Sequence, residues 1–531
     1  MAPPAKRENT GRHAFLVAAG ILLSRLVGLV RQSVFSGYFG ISYTADAFNA
    51  AFRIPNFLQN LFGEGVLSAS FIPVYARLLA EGDEEEADRV AGAVFAILAL
   101  TTSALVLLGV LGAPLLIGAI APGFHGAKRE LTIHLVRILF PSIGLLVLSA
   151  WCLGILNSHR KFFLSYTAPV VASLAQIVTM VAFRYQPQST LAVTLAWGSV
   201  VGSGLQFGVQ LPTVLRLVRR LQPRLHTASA NVREVIRNFG PVFVSRGVVQ
   251  ISGYIDSLLA SLLGDGPVAA LFTAQTLNAL PVSLFGMAVS AAQLPAMSSA
   301  VGDTAQVAGY LRQRLDSGLR QIAFFVVPSA MAFLALGDVV TAVLFQHGNF
   351  KHRDSVYVWS ILAGSAVGLL ASTLGRLYSS TYYALRDTRT PLRFAVIRVT
   401  LTGALGWFCA VPLPIWLGIE PRWGVAGLTA SAGVAGWVEF ALLRGTLNRR
   451  IGKTGLPASF TLRLWMSALM AAAAAWGIKM ALGTARPRVD GAAILAVYGV
   501  TYFAVTYALQ VEESAAALKR LARLLWRTPR R

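Results

Sequence analysis

Apolar stretches about twenty residues long recur along almost the whole chain, and they restrict its fold more than any other feature. An α-helix of that length crosses the hydrocarbon core of a bilayer. About fourteen such windows occur, near residues 14–40, 46–78, 90–120, 131–156, 162–183, 190–215, 234–263, 267–299, 318–345, 355–384, 392–416, 423–446, 460–482 and 490–511. We therefore predict an all-α polytopic membrane protein, because helices satisfy their own backbone hydrogen bonds in lipid.

The charged residues are few and unevenly placed. Only 13% of the residues are charged and 55% are hydrophobic, whereas a soluble domain carries about 25% charged residues. The net charge of +23 would suit a nucleic-acid-binding protein if the basic residues formed one patch. They lie instead in short segments between apolar windows, as in loops that face anionic lipid. We expect membrane lipids as partners and no nucleic acid.

The basic residues also predict the orientation in the membrane. Those on the predicted cytoplasmic side are Lys6, Arg7 and Arg12, Arg160 and Lys161, the run from Arg216 to Arg237, Arg312, Arg314 and Arg320, Arg386, Arg389 and Arg393, Arg449 to Lys453, and Lys519 to Arg531. The opposite side keeps Lys128, Arg129, Arg184, Lys351, Arg353, Arg422, Arg486 and Arg488. This bias predicts a multi-pass membrane protein with both termini in the cytoplasm.

Two short sequences recur in the two halves of the chain. Ser24-Arg25 is echoed by Ser245-Arg246, and the segment 68–73 is echoed by 290–295. Repeated bundles around a central site are a common plan for transporters. Such short echoes also arise by chance, so they support this plan without establishing it. The expected domains are an N-terminal lobe at 1–225 (helices 1–6), a C-terminal lobe at 226–455 (helices 7–12), and helices 13–14 with a basic cytoplasmic tail at 456–531.

Ionisable residues inside the apolar windows are the candidate functional residues. A charge in a membrane is costly, so it usually faces the protein interior or a water-filled cavity. We predict that seven such residues line a central cationic cavity and bind substrate: Arg25, Arg31, Asp46, Arg53, Glu64, Arg246 and Asp256. Arg246 and Asp256 lie nearly three helical turns apart and therefore share a face.

Several of these residues have a structural alternative. Arg25 either lines the cavity or pairs with Asp46 or Glu64. Asp46 opens the second window, where a carboxylate also stabilises a helix N-terminus. Glu64 lies between two glycines and is placed to pair with Arg53.

No enzyme motif is complete in the sequence. Gly452-Lys453-Thr454 resembles the end of a phosphate-binding loop, but Leu447 stands where that motif requires glycine. The histidines show no metal-ligand spacing, and Cys152 and Cys409 lie far apart in apolar windows. We expect no enzymatic activity, no metal and no cofactor. A cavity lined mainly by arginine suits an anionic ligand, because guanidinium groups bind phosphates in bidentate fashion. A lipid-linked pyrophosphate has that chemistry.

Several motifs resemble the MviN/MurJ family of lipid II flippases, within the multidrug, oligosaccharidyl-lipid and polysaccharide exporter superfamily. They are Ser24-Arg25-x-x-Gly28-x-x-Arg31, Ala45-Asp46-Ala47-Phe48, Pro55-Asn56-x-Leu58, Phe62-Gly63-Glu64-Gly65 with Ser68, Phe71 and Pro73, Phe345-Gln346-His347-Gly348-x-Phe350, and the run from Tyr382 to Pro391. The resemblance implies fourteen helices, two six-helix lobes around a cationic cavity, and two further helices that form a groove for a lipid tail. It also implies alternating access that carries lipid II, the undecaprenyl-pyrophosphate-linked peptidoglycan precursor, to the outer leaflet for cell-wall synthesis. The membrane that the resemblance implies is the bacterial cytoplasmic (inner) membrane. Arg25, Arg31 and Asp46 match cavity positions of the family.

The chain departs from the family pattern at two places. Gln59-Asn60 stands where relatives often carry basic residues, and Gln275-Thr276 stands where they often carry an Asp-Arg pair. Positive charge is therefore missing where the pyrophosphate is expected, and we hypothesise that Arg246 supplies it. These departures leave open an exporter of another lipid-linked saccharide or amphiphile. A non-transporting scaffold for envelope assembly is a third reading. The resemblance leaves the energy source open between membrane potential and a coupled cation, and we expect the protein to work as a monomer.

Overall fold

The computed structural model describes residues 8–62, 64–218, 221–225, 229–298, 303–483 and 486–525. Within these ranges the regular structure is entirely helical. The chain forms two compact units, Met1–Ala269 and Ala270–Arg531. The finer division into two lobes and a separate pair of helices stays a prediction.

The described residues of the first unit form eleven helices and the start of a twelfth. They are α1 (Glu8–Phe39), α2 (Tyr43–Phe62), α3 (Glu64–Ser70), α4 (Ile72–Glu81), α5 (Glu84–Leu111), α6 (Ala113–Ile120), α7 (Gly126–Leu139), α8 (Pro141–Ser158), α9 (Phe162–Ala182), α10 (Gln188–Leu217) and α11 (Ala230–Ser261). The boundary between the units falls within α12 (Pro267–Pro281).

The second unit continues from α12 through a π-helical stretch at Val282–Met287. Its further helices are α13 (Ala288–Ser298), α14 (Thr304–Ala335), α15 (Gly337–Phe345), α16 (His352–Ala384), α17 (Arg389–Ala410), α18 (Pro412–Trp416), a 3-10 turn at Pro421–Trp423, α19 (Gly424–Ile451), α20 (Ala458–Leu482), α21 (Pro487–Ala508) and α22 (Glu512–Leu525).

Eleven helical segments of the described chain are long and apolar enough to cross a membrane. They coincide with eleven of the predicted windows. The other three windows correspond to α1, to α2–α4 and to α11, and these contain all seven candidate residues. The all-helical membrane fold is confirmed, whereas the count of fourteen spans stays a prediction.

The second predicted window is broken into three helices. The α2 helix ends at Phe62 and α4 begins at Ile72, with Pro73 in its first turn. Proline has no amide hydrogen, so a helix tolerates it best at its start. A similar change follows Pro281, where the chain passes into the π-helical stretch. The sequence predicted both windows but not these changes of helix type.

The core of the first unit includes a close contact between α5 and α8. The Trp151 side chain is fully buried, and its indole nitrogen donates to the Ala91 carbonyl at 3.1 Å. A Cβ atom on the adjacent Gly92 would lie only 2.2 Å from the Gln222 carbonyl oxygen. Glycine at position 92 therefore lets the segment between α10 and α11 pack directly on α5.

Candidate functional site

The first two candidate arginines lie on α1 with different exposure. Arg25 is exposed, and Arg31, further along the helix, is partly buried. The Arg31 guanidinium carbon lies 5.7 Å from the centre of the Phe52 ring on α2. This is within range of a cation–π contact. Arg31 therefore helps to join α1 to α2, while Arg25 remains accessible.

Arg53 joins α2 to α11 at a position where α11 carries a glycine. Its guanidinium donates a hydrogen bond to the Gly253 carbonyl. The Tyr254 hydroxyl donates to the Arg53 carbonyl at 3.0 Å, and the Arg53 guanidinium carbon lies 5.5 Å from the centre of the Tyr254 ring. A Cβ on Gly253 would lie 3.0 Å from Arg53 Nη2, so glycine gives the guanidinium room to reach the backbone.

Asp256 belongs to the same group of side chains. It lies one turn beyond Gly253 on α11, is partly buried, and interacts electrostatically with Arg53. The structure thus brings together two predicted residues from separate helices. Sequence spacing paired Asp256 with Arg246 instead, and the Arg246 side chain lies outside the described part of the chain.

Asp46 is completely buried and bound by three donors. Its Oδ2 accepts from Lys128 Nζ at 2.6 Å and from the Gly266 amide at 2.6 Å, and its Oδ1 accepts from the Ala269 amide at 2.7 Å. The carboxylate therefore stabilises the N-terminus of α12. Helix stabilisation was the structural alternative in the sequence, but there it concerned the helix that Asp46 itself opens.

Lys128 completes a group that we call the Asp46 cluster, which consists of Asp46, Lys128 and Asp265. Lys128 Nζ also donates to Asp265 Oδ1 and to the Gly264 carbonyl, both at 3.0 Å. It lies 4.0 Å from the centre of the Phe124 ring. Two carboxylates share one ammonium group here, so the cluster carries a formal charge of −1.

Lys128 is the ion-pair partner of Asp46, and sequence reasoning missed this role. It was counted only among the charges of the non-cytoplasmic side. A signal was nevertheless present, because a buried carboxylate needs a partner at its own depth. Asp46 was predicted at the membrane interface, the same depth as Lys128. The alternative pairing of Arg25 with Asp46 gains no support, since the described partners of Asp46 are Lys128 and two backbone amides.

For two candidate residues, the structure gives the helix on which they lie but does not describe the side chain. Glu64 begins α3, but its side chain lies outside the described residues, as does that of Arg246 on α11. The predicted Glu64–Arg53 pair and the cavity role of Arg246 stay predictions. The substrate-binding role of all seven candidates also stays a prediction.

The uncharged departures from the family pattern are ordinary helix residues. Gln59 is partly buried near the end of α2, and Asn60 beside it is exposed. On α12, the Thr276 hydroxyl donates to the Phe272 carbonyl at 2.9 Å, which satisfies it within its own helix. These side chains add no positive charge to the positions they occupy.

The segment from Tyr382 to Pro391 connects α16 to α17 around Asp387. The Asp387 carboxylate accepts from the Thr390 amide at 3.0 Å, from the Thr390 hydroxyl at 2.7 Å and from Arg450 Nη1 at 2.6 Å. These hydrogen bonds, those from Thr390 first, lower the pKa of Asp387 to about 2. This motif therefore fixes a connection between helices.

Sequence comparisons match most of the chain to known proteins. A family model described as "Lipid II flippase MurJ" matches residues 35–485. A lipid II flippase MurJ of Burkholderia cenocepacia is 33% identical over 448 residues, covering 83% of this chain and 84% of that protein. A probable lipid II flippase MurJ of Rhizobium meliloti is 32% identical, covering 81% of this chain and 79% of its own length.

Solved structures show the same fold. A lipid II flippase MurJ in an inward closed conformation matches with a TM-score of 0.77 at 23% identity, covering 93% of this chain and 98% of its own. An inward-facing MATE multidrug transporter of the MOP superfamily matches with a TM-score of 0.66 at 18% identity, covering 82% and 98%. At these identities, the likenesses concern the fold alone.

Proposed function

Since the chain belongs to the MurJ family of lipid II flippases, we infer that it carries lipid II from the inner to the outer leaflet of the cytoplasmic membrane. The observation that carries this inference is the family match over residues 35–485, which extends into both compact units. The apolar helices and the intramembrane arginines are consistent with transport of an amphiphile that has an anionic head group.

Arg25 is the residue best suited to bind the pyrophosphate. It is exposed on α1, whereas Arg31 contacts Phe52 and Arg53 binds the α11 backbone. A guanidinium group offers two parallel donors to a phosphate and stays charged at any physiological pH. In this proposal Arg31 and Arg53 set the positions of α1, α2 and α11 and add positive potential. The buried Asp46 stabilises the scaffold.

Translocation in this proposal involves no covalent chemistry, so the protein is not an enzyme. Substrate enters from the cytoplasmic side and leaves on the other as the protein alternates between two states. Both termini lie in the cytoplasm, and a single chain suffices. A charge that crosses the membrane field changes energy by about 2.3 kcal/mol per 100 mV. Membrane potential is therefore one source of energy for returning the empty cationic carrier, and a coupled cation is an equally compatible alternative.

The test is replacement of the native flippase in a bacterium depleted of it. Wild-type protein is expected to restore growth and to expose lipid II to an externally added enzyme that cleaves it. Arg25→Ala is expected to lose both effects at an equal membrane level. Arg184→Ala is the matched control, because Arg184 is also exposed but contacts the neighbouring Tyr185 at 2.6 Å. Full transport by Arg25→Ala would contradict the role proposed for Arg25.

A second candidate function is export of another lipid-linked saccharide or amphiphile. The neutral pairs Gln59-Asn60 and Gln275-Thr276 favour it, because they remove charge from the expected pyrophosphate site. Failure of a well-expressed wild-type chain to expose lipid II would support this alternative. A scaffold, by contrast, would restore envelope growth even with its arginines neutralised.

A further inference from the structure

We propose that α22 is a surface anchor that binds the anionic lipid head groups of the bilayer in which the protein sits. The helix covers Glu512–Leu525 and follows the membrane-spanning helix α21 after three residues. Neither the predicted transport cycle nor the family motifs assign it a role.

The connection to α21 holds the start of α22 at the membrane surface. Gln510 adopts a left-handed conformation with φ of 54°, which turns the chain sharply. The Val511 amide donates to the Thr506 carbonyl at 3.0 Å, and the Thr506 and Ser514 hydroxyls lie 3.3 Å apart. Val511 and Ser514 are both buried. The first turn of α22 is therefore fixed to the end of a transmembrane helix.

An ion pair fixes the rotation of α22 about its own axis. Arg320 on α14 donates from Nε to Glu513 Oε1 at 2.6 Å, and its Nη2 lies 3.5 Å from Glu512 Oε2. The Arg320 guanidinium carbon also lies 4.5 Å from the centre of the Phe460 ring. With Glu513 directed towards α14, the faces of the helix have a defined orientation.

The sequence of α22 places leucines along one helix face, beyond the first turn that the protein covers. Ser514, Leu518, Leu521 and Leu525 follow the spacing of one helix face. Ser514 is buried, but Leu518, one turn later, is 39% exposed. Because the helix starts at the membrane surface, lipid is the apolar medium that lies next to this face.

The helical spacing of the sequence places basic residues away from this leucine stripe. Lys519, Arg520 and Arg523 follow the acidic first turn, and Lys519 is exposed. Basic residues beside a membrane span are attracted to anionic head groups. An apolar stripe flanked by lysine and arginine is typical of helices that lie in the plane of the interface. We therefore assign the occupant as the surface of a bilayer that contains anionic phospholipid.

The test places a fluorescent probe on each face of α22 in the full-length protein. In a Cys152→Ser/Cys409→Ser background, Leu518→Cys and Ala516→Cys are labelled with an environment-sensitive dye and reconstituted into nanodiscs. We expect a blue shift and quenching by lipid-attached quenchers at position 518. Ala516 is exposed and lies towards the charged face, so a probe there should respond less. Equal aqueous exposure of both probes would overturn the proposal.

The charge requirement is tested in the same discs. Exchange of phosphatidylglycerol for phosphatidylcholine should weaken the response at position 518. The triple variant Lys519→Gln/Arg520→Gln/Arg523→Gln should abolish the difference between the two lipids. Lys351→Gln/Arg353→Gln, at exposed positions predicted on the other side of the membrane, is the matched control and should preserve it. If the difference between the two lipids persists unchanged in the triple variant, electrostatic binding by α22 is contradicted. If the difference is also lost in the control variant, the proposal is contradicted as well, because the difference then depends on the general surface charge of the protein.

Discussion

At the scale of single residues, Asp46 is the candidate residue whose replacement we expect to lower stability most. It is fully buried, and its partner Lys128 is nearly so, with 9% of that side chain exposed. Removal of Asp46 leaves Lys128 with the largely exposed Asp265 as its remaining carboxylate, and breaking a buried pair costs about 3–5 kcal/mol. Replacement of both members together removes that penalty.

We therefore expect Asp46→Asn to lower the unfolding free energy by about 3 kcal/mol or more. The double variant Asp46→Asn/Lys128→Met should be more stable than Asp46→Asn alone. Thermal unfolding of the purified protein in detergent measures both. Asp265→Asn is the control and should have a small effect, because 69% of the Asp265 side chain is exposed. A double variant less stable than either single variant would show that the pair is not the source of the effect.

Gly253 gives a second prediction, which concerns transport. A β-branched side chain in Gly253→Val would displace the Arg53 guanidinium from the α11 backbone, since even a Cβ lies 3.0 Å from Arg53 Nη2. We expect Arg53→Ala to reduce the exposure of lipid II at the outer surface, because the link between α2 and α11 is lost. Gly253→Val should reduce it to the same level. The control is Gly240→Val on the same helix, where a Cβ meets nothing within 4 Å. If both glycine variants lost transport equally, the loss would come from a valine anywhere in α11 and not from displacement of Arg53.

At the scale of elements, the connection between α16 and α17 depends on one carboxylate. The pKa of Asp387 falls from 3.8 to about 2 in the folded protein. A lowered pKa means that the ionised form stabilises the fold. That contribution is complete above pH 3.8 and is lost as the pH falls through about 2.

We expect wild-type protein to lose stability between pH 4 and pH 2 more steeply than Asp387→Asn, which has no proton to gain. Melting temperatures measured across that range compare the two. Above pH 4 the variant should melt below wild type, because it lacks the charged interaction with Arg450. Parallel curves for the two proteins would show that other carboxylates govern the acid response.

The elements also show how far sequence reasoning extends. The apolar windows predicted the positions of the helices, because the length of a membrane span is fixed by the bilayer. The π-helical stretch after Pro281 and the division of α2–α4 were not predicted, since both depend on how neighbouring helices satisfy the backbone. Asp46 was identified from the sequence as a candidate residue at the start of the second window, but its partner Lys128 was not identified. Their meeting is a tertiary contact between residues separated by 82 positions.

At the scale of the whole molecule, the missing positive charge near Gln59 and Gln275 requires a substitute if the substrate is lipid II. The hypothesis stated from the sequence is that Arg246 supplies it. Arg246→Ala should then abolish rescue of a flippase-depleted strain, as Arg25→Ala does. In the Arg246→Ala background, the second-site variant Gln59→Arg should restore part of the rescue, because it adds positive charge at a position where the family pattern that the sequence resembles often has a basic residue. Intact activity in Arg246→Ala beside a complete loss in Arg25→Ala would contradict the hypothesis.

The Asp46 cluster also has a consequence for the synthesis of the chain. Lys128 follows Asp46 by 82 residues, but the amide of Ala269 follows it by 223 residues. At a typical rate of about 5–20 residues per second, roughly 10–45 seconds pass before that last donor leaves the ribosome. Lys128 is synthesised roughly 4–16 seconds after Asp46 at the same rate, and from then on it can hold the carboxylate as the early helices enter the membrane. A lysine at position 128 therefore serves the nascent chain before it serves the finished one.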